Sequence, residues 1–108
     1  MRISKCGGLI ASRARCREAL DAGLVVQIGC QVGESSLLSA AHPILVTAVQ
    51  RVTYAEGCFG YYLLREDPVE PVLQFGYGGR ATGAGLGVTM NEAVLKRWTV
   101  QEATVENA

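Results

Sequence analysis

Two amphipathic helical stretches separated by a short, glycine-bounded apolar run constrain this chain more than any other feature. In the first stretch, Leu9 to Ala22, the residues Leu9, Cys16, Ala19 and Leu20 lie on one stripe at helical spacing, while Arg13, Arg17, Glu18 and Asp21 face away. Gly23 stops it. The run Leu24-Val25-Val26-Gln27-Ile28-Gly29 then fits a strand covered on both faces, as parallel strands are. Ser35 is placed to cap a second helix from Ser36 to about Gln50, with Leu37, Leu38, Ala41, Ile44, Leu45 and Ala48 on its apolar face. Pro43 lies inside that helix, where it removes one hydrogen bond and kinks the axis. Val52-Thr53-Tyr54-Ala55 reads as another short strand ending at Glu56-Gly57, and Ile3 to Cys6 as a strand stub before the first helix. Strand and helix therefore alternate at about 25 to 28 residues per step, the rhythm of a parallel sheet or an α/β barrel.

After Cys58 the rhythm changes. Tyr61 to Leu64 and Val72 to Phe75 are strand-like runs around Pro68 and Pro71, followed by the glycine-rich stretch Gly76 to Gly87. Thr89-Met90-Asn91-Glu92 has the form of a capping box opening a last short helix through Trp98, and Gln101 to Ala108 is a polar tail with little to bury. Gly83-x-Gly-x-Gly87 superficially matches a dinucleotide loop, but it follows no βαβ strand and lacks the downstream acid, so it reads as a cap loop.

Composition excludes several classes of function. Ten Lys and Arg balance ten Asp and Glu, leaving no net field to attract nucleic acid. No apolar run approaches the roughly 20 residues that span a bilayer, and the N-terminus lacks the form of a signal peptide, so a cytoplasmic location is expected. Cys6, Cys16, Cys30 and Cys58 form no C-x-x-C pair, and His42 is the sole histidine, so they read as reduced thiols serving as small buried hydrophobes rather than zinc ligands.

Four motifs in register carry a resemblance: Ser-Lys-Cys-Gly-Gly at 4 to 8, Gly-Cys-Gln-Val-Gly-Glu-Ser at 29 to 35, Phe-Gly-x-x-Leu-Leu-x-Glu-Asp at 59 to 67 and Gly-Leu-Gly-Val-Thr at 85 to 89. Their order and intervals resemble the enolase superfamily, in its mandelate racemase and muconate lactonizing enzyme (muconate cycloisomerase) branch. The resemblance implies an α/β fold that is the C-terminal part of an eight-stranded, TIM-type barrel. Residues 1–58 would supply its last three strand-helix steps and residues 59–100 a capping segment, with 101–108 as tail. It also implies proton removal next to the carboxylate of a small substrate, assisted by Mg²⁺. The Mg²⁺ carboxylates of such enzymes lie on the third to fifth strands, a region with no counterpart here, so no metal ligand is assigned in this chain.

Barrel chemistry sits at the C-terminal ends of strands, which singles out Arg2 to Lys5, Cys30 to Glu34 and Glu56 to Cys58. The lysine-base members of the family carry their catalytic Lys five residues before the first glycine of the Gly-Gly pair, and Arg2 occupies that position. Arginine holds a carboxylate or stabilises an oxyanion well but is a poor proton-abstracting base. Lys5 is either a base made so by burial or a strand-end lysine reaching solvent. Gly7 and Gly8 either offer amides to an anionic group or simply permit a tight turn. Glu34 matches the acidic residue of the family's corresponding loop, or else complements the dipole of the helix it precedes. Cys30 and Glu56 are placed to line the substrate site. A catalytic cysteine is disfavoured for want of a base, because His42 reads as a satisfied helix residue.

About three of eight strands cannot close a barrel. Either the missing N-terminal barrel and capping portion completes the enzyme, or the chain is a non-catalytic relic that self-associates through its open sheet edges, or it is a carboxylate-binding module. The upstream coding region would discriminate the first two.

Overall fold

Gly7 ends one helix and begins the next. In the computed structural model, which describes residues 1–57, 59–74 and 84–103, Gly7 has a φ of 85°, in the left-handed region that glycine enters at little cost. Its N–H closes α1 (Ile3–Cys6) onto the Ile3 carbonyl. The expected strand stub at Ile3–Cys6 is therefore a helical turn. Lys5 and Cys6 both donate backbone N–H bonds to the Arg2 carbonyl, at 3.1 and 3.0 Å, which an extended chain does not allow. Strand character is confined to Met1. Its amine donates to the Gln27 carbonyl, and its own carbonyl accepts from Gly29 at 2.8 Å, bracketing Ile28 as a parallel neighbour does.

Helix α2 (Gly8–Asp21) follows, and the chain leaves it through Gly23 at φ 77°. Strand β1 (Gln27–Ile28) pairs in parallel with β2 (Tyr54–Ala55), in the register Gln27 with Tyr54 and Ile28 with Ala55. Bonds from Thr53 to the Val26 carbonyl and from Glu56 to the Ile28 carbonyl extend the ladder at both ends. Helix α3 (Ser36–Val49) makes the crossover between them, so β1, α3 and β2 form the βαβ unit that the periodicity predicts.

The core is the layer between the helices and one face of this sheet: Ile3, Cys16, Val26, Ile28, Ala41, Leu45 and Val49. Among the described residues only one sheet face is covered. Gln27 and its register partner Tyr54 are exposed on the other face, and Val25 is 72% exposed, so the expected double cover of the first strand is not met by the described residues. The helices α2 and α3 supply one layer, and the described residues offer no second one.

Helix α3 carries Pro43 as expected, but its inward face differs in detail. Ile44 is 41% exposed, whereas Ser36, Ser39 and His42 are buried. Its cap also differs. Ser35 holds the N-cap position without a side-chain bond, and Asp67 instead accepts from the Ser36 N–H at 2.7 Å through Oδ2. The Ser36 hydroxyl in turn accepts from the Leu73 N–H at 2.8 Å. The C-terminal segment is thus bonded to the first turn of α3 across buried polar groups.

Two expected strands in that segment are corrected. Tyr61 to Leu64 belongs mostly to α4 (Gly60–Leu63), where the rings of Tyr61 and Tyr62 meet edge to face, 5.3 Å between centroids, on the exposed side. Val72 to Gln74 has no strand pairing, while β3 (Val69–Glu70) pairs antiparallel with β4 (Thr89–Met90). Because Thr89 is committed to β4, the cap of α5 (Glu92–Trp98) is Asn91, whose side chain accepts from the Val94 N–H at 3.2 Å. Cys58, Phe75 and most of the glycine-rich stretch lie outside the described residues. Among the described residues no helix is long and apolar enough to cross a membrane.

Candidate active site

The C-terminal ends of β1 and β2 lie side by side because the strands are parallel, and the loops that follow them bring three chain segments together. At Gly29 a Cβ would stand 2.7 Å from Glu56 Oε1, so the missing side chain is what lets Glu56 lie across the strand end. Met1, Arg2, Gln27, Gly29 and Glu56 together line a small polar cavity of about 200 Å³. Arg2 reaches over β1 to donate to Gln31 Oε1 at 3.2 Å.

Glu34 is the buried member of the group. It is 7% exposed, and the Ser4 hydroxyl on α1 donates to its Oε1 at 2.8 Å. Its other oxygen, Oε2, faces His42 Nε2 at 3.5 Å, and His42 is likewise 7% exposed. Neither ring nitrogen of His42 nor Glu34 Oε2 has a hydrogen-bond partner among the described residues. Burial pushes the His42 imidazole below its ordinary value, opposed by the charge of Glu34 and by the Glu56 backbone. A Cβ on Gly57 would come within 2.9 Å of His42 Nδ1, so the Gly57 backbone forms one wall of the imidazole's slot. Gly60 packs still closer: a Cβ there would meet the Glu34 carbonyl oxygen at 2.0 Å. This contact sets the height of the Glu34 loop above α4.

The other expected site residues separate. Cys30 is buried at the end of β1, and burial first, then the charges of Glu34 and Glu56, push its thiol up, against a backbone hydrogen bond from Phe59. A thiol so held is protonated and a weak nucleophile. Lys5 is exposed in the last turn of α1 and makes none of these contacts. Gly7 and Gly8, at φ 85° and 92°, serve the turn between α1 and α2, and the Gly7 amide is already used by the Ile3 carbonyl.

A family model of enolase C-terminal domain-like proteins matches residues 1–94. This chain belongs to the enolase C-terminal domain-like family. No curated protein and no solved structure gives a significant match. Enolase-superfamily members generally use Mg²⁺, and the carboxylates among the described residues do not fit that ion. Glu34 has a hydroxyl on one oxygen and an imidazole opposite the other, and no three His, Cys, Asp or Glu side chains come together among the described residues.

Ser4, Gln31 and Gly57 lie within the strand-end segments singled out from the sequence, where no role was assigned to them, and His42 joins the site from outside those segments. His42 is buried on α3 and faces Glu34, with the Glu56 backbone beside its ring. A signal for its inward position was present: Leu38, His42, Leu45 and Val49 recur at i, i+4, i+7 and i+11, one face of α3. A second, larger cavity of about 650 Å³ lies where the Gly33–Ser35 loop meets α4 and α5, lined by Leu38, Leu63, Leu64, Val94 and Trp98 among others.

Proposed function

We propose that this enolase C-terminal domain supplies part of the active face of an isomerase or lyase of the muconate-cycloisomerase or mandelate-racemase type. Its substrate is a small carboxylate, and its shared first step is removal of the proton next to that carboxylate. The observation that carries this reading is the buried Glu34 side chain, fixed by Ser4 on one oxygen and facing His42 on the other, in the loop that follows a parallel strand. A carboxyl group held in this way is oriented to give or take a proton, which water-exposed carboxylates achieve poorly.

In this reading Arg2 holds the substrate carboxylate, since guanidinium stays charged and binds in a planar fork. Glu56 and Cys30 line the substrate position, with Cys30 contributing a neutral thiol. Lys5 is exposed, which favours its solvent role over that of a base. Gly7 and Gly8 act through the turn they allow. The strands that carry the metal carboxylates and the capping portion come from a partner polypeptide segment.

The test is deuterium exchange next to the carboxylate of small acids in D₂O, read by NMR on the complete enzyme assembly. Glu34→Gln is expected to slow exchange by at least about tenfold with the fold intact, within the range of acid-base contributions. Unchanged exchange removes Glu34 from the chemistry. A second reading, a non-catalytic chain that self-associates, is favoured by the exposed apolar residues Leu24, Val25 and Tyr54 along the sheet.

A further inference from the structure

We propose that Glu34 and His42 form a coupled dyad, in which His42 is the positioning residue that sets when Glu34 carries a proton. The inference rests on the reading of Glu34 as the acid-base group, but its test uses no turnover.

Glu34 Oε2 and His42 Nε2 face one another, with Ser4 on the other carboxylate oxygen and the Glu56 backbone beside the ring. Ser4 occupies Glu34 Oε1, which orients the carboxylate and leaves Oε2 toward His42 Nε2 at 3.5 Å. That oxygen and both ring nitrogens are buried without hydrogen-bond partners among the described residues. Buried polar atoms in this condition are uncommon in folded proteins, and two of them facing one another are satisfied by one proton between them. The ring has little room to turn away, because Gly57 closes against Nδ1 on the opposite side.

Two segments supply the groups around the imidazole: Glu34 precedes α3, and the Glu56 and Gly57 backbone follows β2. Among these, Glu34 is the full charge acting on His42, and it opposes the effect of burial. The charge state of Glu34 therefore bears on the proton affinity of His42.

With one proton in the pair, two arrangements exist: Oε2–H facing a neutral Nε2, and a carboxylate facing an imidazolium. They interconvert by breaking one bond to hydrogen and forming the other, with no atom gained or lost. Once Glu34 has given that proton to a substrate the pair holds none, and a proton taken up from water at His42 restores Glu34 by the same transfer.

The test is an NMR titration of the ¹³C,¹⁵N-labelled 108-residue chain, following the Glu34 carboxyl carbon and the His42 ring nitrogens. In the unsubstituted chain the Glu34 signal is expected to show two inflections, the second at the His42 midpoint. Glu34→Gln is expected to lower the His42 midpoint by about one pH unit, tenfold in proton affinity. His42→Gln is expected to reduce the Glu34 curve to one step. A single Glu34 step in the unsubstituted chain overturns the dyad whether or not either variant folds, as does a His42 midpoint unmoved by Glu34→Gln. Coupling found together with undiminished exchange in the Glu34→Gln assembly would keep the dyad and reject the catalytic reading. No coupling with diminished exchange would do the reverse.

Discussion

Glu34, His42, Gly57 and Gly60 show how closely single residues determine this site. His42 makes stability depend on pH, and the sign follows from its environment. Burial holds its folded value below the ordinary 6.5, so as pH falls the unfolded chain takes up the proton first. The stability this contributes is complete above about pH 6.5 and is lost as pH falls through the interval down to the folded value. Urea midpoints of the unsubstituted chain are expected to decline between about pH 7 and pH 5.5 more steeply than those of His42→Gln, which cannot titrate. Equal slopes would show that the imidazole is not held neutral. Gly60→Ala tests the packing below the loop. Because the obstruction at 2.0 Å is a carbonyl oxygen rather than a flexible side chain, a loss on the order of 1–3 kcal/mol is expected in denaturant melts. The acidic character of position 34 was legible in the chain. The value of His42 was not, because a lone histidine on a helix gives no sign of what another loop will place opposite it.

The element that organises the site is α3, and its first turn depends on Asp67. Asp67 is buried, and its two oxygens accept from the Ser36 and Val69 backbone N–H groups, at 2.7 and 3.3 Å. Asp67→Ala leaves those donors unpaired in the interior and is expected to cost about 1–3 kcal/mol in equilibrium unfolding. Hydrogen exchange should quicken at Ser36 and its neighbours, since the bond to Asp67 is what protects that amide. By contrast Ser35→Ala is expected to be nearly silent, as the Ser35 side chain makes no capping bond. If Ser35→Ala proves the costlier change, the capping assignment is wrong. The positions of α2, β1, α3 and β2 followed from apolar periodicity, which reports local burial. The strand stub at Ile3–Cys6 and the run at Tyr61–Leu64 did not, because four residues are too few to separate a helical turn from a strand by period alone.

At the scale of the whole molecule, the sheet is covered on one face and its described strands end at open edges. Light scattering with and without Mg²⁺ is expected to return one mass, since the described carboxylates make no site for the ion. An apolar dye is expected to bind the isolated chain, through surface such as Leu24, Val25 and Tyr54, and to be displaced when the strands of the proposed assembly are supplied. A discrete oligomer that excludes the dye would instead support self-association as the way the open face is covered.

Taken alone, the chain determined its alternation of helix and short strand, the parallel crossover through α3 and the membership that four motifs in register carry, because each of these is written in local spacing. Tertiary structure alone decided that Asp67 caps a helix 31 residues before it. It also decided that Ser4 reaches Glu34 across 30 residues. The buried carboxylate and imidazole likewise meet only once the loop after β1 is folded against α3. Such contacts depend on how elements dock, and hydrophobic periodicity specifies which face is buried without specifying which polar groups meet there.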